Sequence, residues 1–203
     1  MKARGCYTDS KENNAKGKFV SDNRMQFINK LALRSRDLAS ERLNLRLLTG
    51  ADRETLLRLF YNEEIKKTYM IPDFSSEDEA VRLFERMKAL SNSDGHFIYL
   101  ALFGDTAVGF LNDTCVEGNA IELGYVVDPE HKNRGFATEM LKTAIAELFR
   151  LGFETVRAGC FEENTASRRV MEKSGMRFTG ETESIEYRGK THRCLMLWIG
   201  KDR

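Results

Sequence analysis

The sequence predicts an α/β domain in which helices flank a mixed central β-sheet. Three observations lead to this fold class. Short segments alternate between apolar and polar residues, as half-buried strands do, and longer segments carry apolar residues at helical spacing. The segments follow one another in the order β-α-α-β-β-β-α-β-α-β-β. Strands separated by helices favour parallel neighbours and strands joined by tight turns favour antiparallel ones, so the sheet is expected to be mixed.

Residues 1–39 are predicted to form an N-terminal extension of a domain that comprises residues 40–203. Residues 1–23 are mostly polar, a composition typical of a disordered or loosely docked segment. A short amphipathic helix is expected next, with apolar positions at Met25, Phe27, Ile28, Leu31 and Leu33. This helix would pack on the domain or on a second copy of the chain, so a homodimer stays open.

The first strand of the domain is expected at residues 43–47, where leucines alternate with polar residues. Two helices should follow it. Thr49 with Asp52 has the spacing of a helix-starting cap, and so has Ser76 with Glu79. Each pair precedes apolar residues at helical spacing, which predicts a helix after each cap.

Three strands are expected in the middle of the chain. Residues 96–102 and 107–111 form two of them, joined by a tight turn that contains Gly104. After a second turn, near Gly118, the strand Ala120–Val127 follows. Short turns between consecutive strands predict antiparallel pairing.

A long amphipathic helix follows, and its stripe is formed by Ala137, Met140, Leu141, Ala144, Ile145 and Leu148. The strand Thr155–Phe161 comes next, then a helix over residues 164–174 with a good N-cap and a glycine just after its end. Two final strands, residues 177–183 and 192–200, should meet around residues 187–190.

The most informative segment connects the strand Ala120–Val127 to the long helix. It is a basic loop in which Gly135 lets the backbone approach a ligand closely, while Lys132 and Arg134 add positive charge. The helix behind it starts with N–H groups that have no partner within the helix. Such a helix start binds phosphate or pyrophosphate. An isolated Lys-x-x-Gly-x-Ala loop is equally compatible with a tight, exposed turn.

Composition and missing motifs narrow the class of protein. The net charge of +1 gives no sign of the basic face of a nucleic-acid binder, and no apolar run approaches membrane-spanning length. Neither common nucleotide-binding glycine motif is present. Four scattered cysteines without a Cys-x-x-Cys pair, and three histidines, predict no metal site. The cysteines are typical of reduced thiols in a cytoplasmic protein.

The loop resembles the acetyl-CoA-binding motif of the GNAT superfamily of N-acetyltransferases, Gln/Arg-x-x-Gly-x-Gly/Ala. Gly135 and Ala137 match, and Lys132 stands where Gln or Arg is usual. Residues 164–175 resemble the family's Asn-x-x-Ser…Glu-Lys-x-Gly-Phe helix. Residues 40–46 resemble the opening strand of the branch that contains ribosomal-protein alanine acetyltransferases. The three matches, in family order over residues 40–200, imply a GNAT-like acyl-CoA N-acyltransferase fold.

The resemblance implies acetyl-CoA as the acyl donor. Its pyrophosphate would contact backbone N–H groups of the basic loop, and its pantetheine arm would lie between the strands Ala120–Val127 and Thr155–Phe161. A backbone N–H near residues 125–127 would point at the acetyl carbonyl. The implied cofactor-binding residues are Val126, Val127, Lys132, Arg134, Gly135, Phe136, Ala137, Thr138 and Asn164. For Asn164, simple helix capping explains the residue equally well.

The resemblance also implies direct attack of an amine on the thioester. Glu122 is the candidate base, with a solvent-facing strand residue as the alternative. Ser167 is the candidate acid or thiol-orienting group, since Met171 stands where many family members have a Tyr. A Ser in a first helical turn also bonds its own backbone, and that role is as well supported. Cys160 is interpreted as a core residue, without a neighbouring His to activate it.

The chain is therefore predicted to be an acetyl-CoA-dependent N-acetyltransferase whose acceptor is a protein N-terminal amine or a small-molecule amine. Aromatic residues expected to line the acceptor pocket are Tyr69, Phe74, Tyr125 and Tyr187. Met171 in place of Tyr keeps an alternative open, a non-catalytic module that binds acyl-CoA or a partner. Neither a nucleic acid nor a membrane is expected as a partner.

Overall fold

The computed structural model describes residues 30–201, in which eight strands form one sheet in the order β1-β2-β3-β4-β5-β6-β8-β7. The strands are β1 Asp37–Ala39, β2 Leu43–Arg46, β3 Tyr99–Phe103, β4 Thr106–Glu117, β5 Ala120–Val127, β6 Thr155–Phe161, β7 Arg177–Tyr187 and β8 Lys190–Gly200. The helices are α1 Arg53–Tyr61, α2 Glu63–Lys66, α3 Glu77–Ser91, α4 Phe136–Arg150 and α5 Thr165–Lys173.

The sheet is mixed, as predicted. Strands β5 and β6 run parallel, and the other neighbouring pairs among the described strands are antiparallel. The long connection that contains α4 allows the parallel pair, whereas the tight turns at Gly104 and Gly118 produce antiparallel hairpins. The predicted fold class is confirmed.

Helices cover both faces of the sheet. On one face α4 and α5 pack over a cluster that includes Leu45, Tyr99, Leu123, Met140, Met171 and Leu197. On the other face α1 and α3 pack over a second cluster that includes Leu56, Phe60, Phe84, Phe110 and Val126. Because side chains alternate along a strand, β5 contributes Leu123 to the first cluster and Val126 to the second. We call these the α4 face and the α1 face.

Local capping explains where two of the helices begin. The Asp52 carboxylate accepts the Thr49 N–H at 2.7 Å, as the spacing of the two residues predicts. At α3 the Glu79 carboxylate accepts the Ser75 N–H at 2.8 Å, one residue earlier than the expected partner Ser76. In both cases a carboxylate satisfies a backbone N–H just before the helix and favours its positive end.

Several elements differ from the prediction. Strand β1 and helix α2 were not predicted, because three or four residues are too few to show a hydrophobic periodicity. Strand β4 continues six residues beyond the predicted end at Leu111. Polar Asn112 and Asp113 resemble the start of a loop, but both are buried, and Asp113 Oδ1 accepts the Phe97 N–H at 2.7 Å. The β7–β8 hairpin is also longer than predicted on both sides of its turn.

The described part of the predicted extension packs on the domain. Leu31 is buried in the cluster of the α4 face, and the Ser35 N–H donates to Glu147 of α4 at 2.7 Å. Leu33, which was expected on the apolar side of a helix, is exposed. The other apolar positions of that helix, Met25, Phe27 and Ile28, lie outside the described residues, as does its boundary. Within residues 30–201 no helix is long and apolar enough to cross a membrane.

Candidate active site

The parallel strands β5 and β6 pair only over their first residues. Their last recorded partners within the described chain are Glu122 and Arg157. Beyond this point β5 stays with β4, and β6 stays with β8, up to the strand ends. The two strands therefore diverge and open a cleft between residues 123–127 and 158–161. Strand edges that diverge in this way offer backbone hydrogen-bonding groups to an extended ligand.

The loop before α4 borders the open end of this cleft. Asn133 and Gly135 have φ angles of 63° and 81°, in the left-handed region that favours glycine. Within 4 Å, a Cβ at Gly135 would meet a single heavy atom, the Arg42 Nη2 at 3.4 Å. Lys132 and Arg134 are exposed beside it. The loop therefore presents an accessible, cationic backbone surface.

Helix α4 directs its first N–H groups at the same surface. Glu139 donates its N–H to the Gly135 carbonyl at 3.1 Å, which starts the helical bonding pattern. The N–H groups of Phe136, Ala137 and Thr138 thus have no acceptor within the helix. Free N–H groups at a helix start beside two cationic side chains suit a phosphate anion. The residues present at this site therefore fit the pyrophosphate of CoA.

Arg42, just before β2, fixes the loop from the side. Its Nη1 donates to the Arg134 carbonyl at 3.1 Å, its Nε donates to Glu139 at 2.8 Å, and its guanidinium lies 5.0 Å from the Phe136 ring centre. Burial raises the pKa of Glu139, but hydrogen bonds from Ser40 and Arg42 outweigh this effect and leave that pKa below its usual value. The ionised carboxylate therefore anchors the loop to β2.

The start of α5 lies on the opposite side of the cleft. Asn164 Oδ1 accepts the Ser167 N–H at 3.1 Å, so capping by Asn164 is observed. The Ser167 Oγ lies 2.8 Å from the Tyr125 hydroxyl of β5, which is also 3.1 Å from the Ser167 carbonyl oxygen. Tyr125, expected in the acceptor pocket, thus directs its hydroxyl to α5. Met171 is fully buried in the α4-face cluster.

Burial governs the titrating groups on this side of the sheet. It raises the pKa of Tyr125, a shift that the hydrogen bond to Ser167 partly opposes. It also raises the pKa of the Cys160 thiol to about 11. Both groups are therefore protonated and neutral near pH 7. The buried, neutral thiol agrees with the interpretation of Cys160 as a core residue.

Glu122 lies on the α1 face of the sheet, away from Ser167. The Thr114 hydroxyl on β4 donates to Glu122 Oε1 at 2.9 Å. On the same face, Tyr69 covers β5, because a Cβ at Gly124 would lie 2.8 Å from its hydroxyl oxygen. Tyr69 donates this hydroxyl to Asn112 Oδ1 at 2.5 Å. Glu122 and Tyr69 thus both lie on the α1 face of the cleft, on the side opposite to α4.

The β7–β8 hairpin closes over this face. Tyr187 donates its hydroxyl to the Ile71 carbonyl at 3.0 Å, and Arg188 forms ion pairs with Glu63 at 2.8 Å and with Asp73 at 3.2 Å. The hairpin is thereby tied to α2 and to the segment between α2 and α3. Phe74, also expected at the acceptor pocket, belongs to this segment and packs on aromatic rings of α1.

Sequence reasoning missed a histidine on the same face. His192 stacks on Phe161 at 4.2 Å between ring centres, and its Nδ1 lies 2.5 Å from Glu163 Oε1. The alternation of β8 places His192 and Cys194 on one face, and that pattern could have identified it. Arg42 left no comparable signal, since its partner Arg134 is 92 residues away in sequence.

A family model described as "Acetyltransferase (GNAT) domain" matches residues 42–177, which is more than half of the chain. The chain belongs to the GNAT acetyltransferase family. The motifs on which the resemblance was based fall within or next to the matched range. This GNAT protein is an acetyl-CoA-dependent acetyltransferase. The resemblance to the GNAT superfamily is thereby confirmed.

Known proteins resemble the chain over most of its length. "Uncharacterized N-acetyltransferase YoaA" of Bacillus subtilis is 28% identical over 160 residues, which cover 76% of this chain and 90% of the relative. The structure of RimL, a ribosomal L7/L12 alpha-N-protein acetyltransferase in complex with coenzyme A, superimposes with a TM-score of 0.73 at 20% identity, covering 81% of this chain and 97% of RimL. Spermidine N-acetyltransferase from Vibrio cholerae, in complex with CoA and spermine, gives a TM-score of 0.69 at 19% identity, with 79% and 96% covered.

The predicted site residues of this GNAT acetyltransferase surround one cleft but divide between its two sides. The basic loop and the α4 start lie at one border, and Asn164 with Ser167 lies across from them. Glu122 lies on the α1 face, where its carboxylate contacts Thr114. Of the two valines, Val126 has its side chain buried in the α1-face cluster, so its backbone alone is left to contact a ligand.

Proposed function

We propose that this GNAT acetyltransferase transfers the acetyl group of acetyl-CoA to an amine by direct attack in a ternary complex. The observation that carries the proposal is the cleft between β5 and β6, which connects the basic loop on one side with Glu122 on the other. Two reactants that enter from opposite sides can occupy such a cleft together. Holding them in contact lowers the entropic part of the barrier.

In the proposed complex, acetyl-CoA supplies the activated acyl group. Lys132 and the backbone N–H groups of residues 134–138 bind its pyrophosphate. The backbone groups of Val126 and Val127, at the end of β5, border the cleft and bind the pantetheine arm and the acetyl oxygen. One N–H aimed at the oxygen where negative charge develops contributes about 3 kcal/mol to transition-state stabilisation. Asn164 borders the pantetheine arm while its Oδ1 caps α5.

Glu122 is the proposed base. An alkyl amine has a pKa of about 10.4 and is almost fully protonated near neutral pH, so it must lose a proton before it attacks. A carboxylate on the acceptor side of the cleft accepts that proton directly or through a water molecule. The hydrogen bond from the Thr114 hydroxyl to Oε1 holds the carboxylate in place on the acceptor side of the cleft.

Ser167 is proposed to donate a hydrogen bond to the departing sulfur. It lies in the first turn of α5, where the helix start also favours negative charge. The buried thioether of Met171 has no proton to give. The C–S electron pair goes to sulfur, and the proton lost by the amine reaches that sulfur through Glu122 and solvent.

The proposed acceptors are a protein N-terminal amine and a small-molecule polyamine. RimL acts on the alpha-amine of a ribosomal protein, and the Vibrio cholerae relative is a spermidine acetyltransferase with spermine bound. On the α1 face, Glu122 and Glu183 lie near Cys194 and add to the effect of burial that raises the pKa of this thiol to about 12. These carboxylates would attract a cationic acceptor.

Calorimetric titration with acetyl-CoA tests the proposal, with Gly135→Glu as the variant. At a φ of 81° a glutamate strains the loop, and its carboxylate repels the pyrophosphate, so binding should be lost. Gly118→Glu is the matched control, since Gly118 is an open glycine with a φ of 59° at the other end of β5. It should bind like the unchanged protein.

The titration is followed by a screen for CoA release with a peptide that has a free N-terminus and with spermine. Amine-dependent release that disappears in Gly135→Glu, but not in Gly118→Glu, supports acetyl transfer in the cleft. Tight binding without release by any amine would support the non-catalytic acyl-CoA module instead. A protein that does not bind acetyl-CoA at all would contradict the proposed function.

A further inference from the structure

The hydroxyl groups of Tyr125 and Ser167 form a pair that no role assigned so far explains. Tyr125 is on β5 and Ser167 is on α5, so the pair bridges the cleft where the two strands have diverged. The oxygen atoms are 2.8 Å apart, and the Tyr125 oxygen is 3.1 Å from the Ser167 carbonyl oxygen. On the basis of the proposed function, we infer that Tyr125 is a positioning residue that turns the Ser167 hydroxyl toward the departing sulfur.

Hydrogen-bond counting gives the physical basis. A hydroxyl has one proton to donate and two lone pairs to accept with. When Tyr125 donates to the Ser167 carbonyl, Ser167 donates to the Tyr125 oxygen and has no proton left for a ligand. When Tyr125 donates to Ser167 Oγ instead, the Ser167 proton is free for the sulfur. The two arrangements need no movement of heavy atoms.

The surroundings keep Ser167 in place for this exchange. Its N–H is held by Asn164 Oδ1 at 3.1 Å, so the backbone of the residue is fixed at the helix start. Burial keeps Tyr125 protonated near neutral pH, so it remains a donor. Cys160, on the neighbouring strand β6, is likewise neutral, because burial raises the pKa of its thiol to about 11. The neutral Cys160 thiol therefore does not compete for the Tyr125 proton.

The chemical step balances without a further reactant. The amine nitrogen forms a bond to the acetyl carbon, the C–S bond breaks, and its electron pair goes to sulfur. As charge grows on sulfur, the Ser167 hydroxyl donates to it and the Tyr125 hydroxyl donates to Ser167 Oγ. Hydrogen bonds to a charged acceptor are stronger than those to a neutral one, so this arrangement gains as the sulfur leaves. Neither side chain loses its proton.

Tyr125→Phe tests the inference, because it removes the hydroxyl and keeps the ring. We expect kcat to fall about tenfold, the effect of one hydrogen bond to a charged group, while the Kd for acetyl-CoA stays within twofold. Tyr99→Phe is the matched control. Tyr99 is on β3, away from the cleft, and its hydroxyl donates to the Ser35 carbonyl at 2.5 Å. The substitution therefore removes another buried tyrosine hydroxyl. Its kcat should be unchanged.

A double variant separates positioning from a merely structural role. If Tyr125 acts through Ser167, then Tyr125→Phe combined with Ser167→Ala should be no slower than Ser167→Ala alone. Losses that multiply in the double variant would overturn the inference. So would a kcat of Tyr125→Phe within twofold of the unchanged protein, as long as that protein turns over with the N-terminal peptide or with spermine.

Free CoA gives a readout that needs no acceptor. Its sulfur is the group that Ser167 is inferred to contact, so Tyr125→Phe should weaken calorimetric binding of CoA about fivefold to tenfold and leave binding of acetyl-CoA unchanged. Equal Kd values for CoA in both proteins would overturn the inference. If the unchanged protein binds neither compound, the proposed function fails together with it. Binding of both with no effect of the variant contradicts the inference alone.

Discussion

At the scale of single residues, the sheet separates the two groups that the proposed reaction needs. Ser167 lies on the α4 face, where its hydroxyl contacts Tyr125, and Glu122 lies on the α1 face beside Thr114. A base and a sulfur-directed donor are thus held apart by the thickness of one strand layer. This separation agrees with an amine that enters from one side and a thioester that enters from the other.

Substitution Glu122→Gln is expected to lower kcat about 100-fold, the typical contribution of a general base. The amide oxygen still accepts the Thr114 hydrogen bond, so the strand pair should stay intact. The Kd for acetyl-CoA should not change, because the side chain faces away from the basic loop. Steady-state kinetics with the amine found in the screen, together with calorimetry, measure both quantities.

Glu117→Gln serves as the control for this prediction. Glu117 is a carboxylate of the same hairpin, exposed at the end of β4, and its contact to Arg157 is 3.9 Å long. Its kcat should remain within twofold of the unchanged protein. Should Glu122→Gln behave in the same way, Glu122 is a strand residue without a catalytic role, and the base lies elsewhere on the α1 face.

Some site residues could be predicted from the sequence because their role lies in the backbone. Gly135 and the N-cap Asn164 have local signatures, since a left-handed turn and a helix start each constrain one residue type. Side-chain contacts between distant segments leave no such signature. Two such contacts, between Arg42 and the Arg134 carbonyl and between His192 and Glu163, form only when the sheet brings distant segments together. They were therefore not predicted.

At the scale of elements, the pairing of β4 with β5 depends on a glycine. Gly109 faces Val127 in the register, and an ideal Cβ on it would lie 2.1 Å from the Val126 carbonyl oxygen. The atoms it would strike are backbone atoms, which cannot move aside as a flexible side chain does. The residues of β5 that border the proposed acetyl site are thus held by this close approach.

Gly109→Ala is therefore expected to reduce the free energy of unfolding by about 3 kcal/mol, at the upper end of overpacking effects. The displaced β5 backbone should also weaken acetyl-CoA binding. Gly50→Ala is the control, since an added Cβ there has no neighbour within 4 Å, and its effect should stay within about 0.5 kcal/mol. Urea unfolding measures both variants, and equal stabilities would contradict the close contact.

The elements with strong periodicity were predicted well, and the wrong end of strand β4 has a tertiary cause. Helix α4 and strand β5 carry complete apolar patterns and were placed correctly. Strand β4 was cut short because Asn112 and Asp113 look like loop residues in sequence. Both are buried and hydrogen-bonded to side chains or backbone of distant segments, which compensates for their burial. Such compensation is decided by the tertiary structure.

At the scale of the whole molecule, buried carboxylates tie separate elements together. Asp128, after β5, is paired with Arg58 of α1 at 2.5 Å, and Glu147 of α4 accepts the Ser35 N–H at 2.7 Å. Burial would raise the pKa of Asp128 and of Glu147. Hydrogen bonds from arginines and backbone N–H groups outweigh burial and lower both pKa values. Each carboxylate is therefore more acidic in the folded state than in the unfolded state.

This sign fixes the pH dependence of stability. A group with a lowered folded pKa stabilises the fold fully above its unfolded pKa, and this contribution is lost as pH falls through the folded pKa. Unfolded Asp and Glu titrate at about 3.9 and 4.3. The free energy of unfolding contributed by these groups should be level from pH 7 to about pH 5 and decline below about pH 4. Urea unfolding in this range should show a shallower decline for Asp128→Asn, and an unchanged slope would contradict the role of the pair.

The segment before β1 belongs to the same folding unit. Lys30 donates to the Gly152 carbonyl at 2.9 Å, and Tyr99 on β3 donates its hydroxyl to the Ser35 carbonyl at 2.5 Å. Between these contacts, Leu31 is 1% exposed in the cluster of the α4 face, whereas Leu33 is 73% exposed. Two leucines in one short segment thus differ almost completely in burial.

Leu31→Ala is expected to reduce the free energy of unfolding by about 3 kcal/mol, because it leaves a cavity in the main core. Leu33→Ala should change it by less than about 0.5 kcal/mol, since the same methyl groups are in solvent there. Urea unfolding followed by both tryptophan fluorescence and circular dichroism should give coincident transitions if the segment unfolds with the sheet. Equal stability of the two variants would contradict the packing of the residues before β1 on the α4 face.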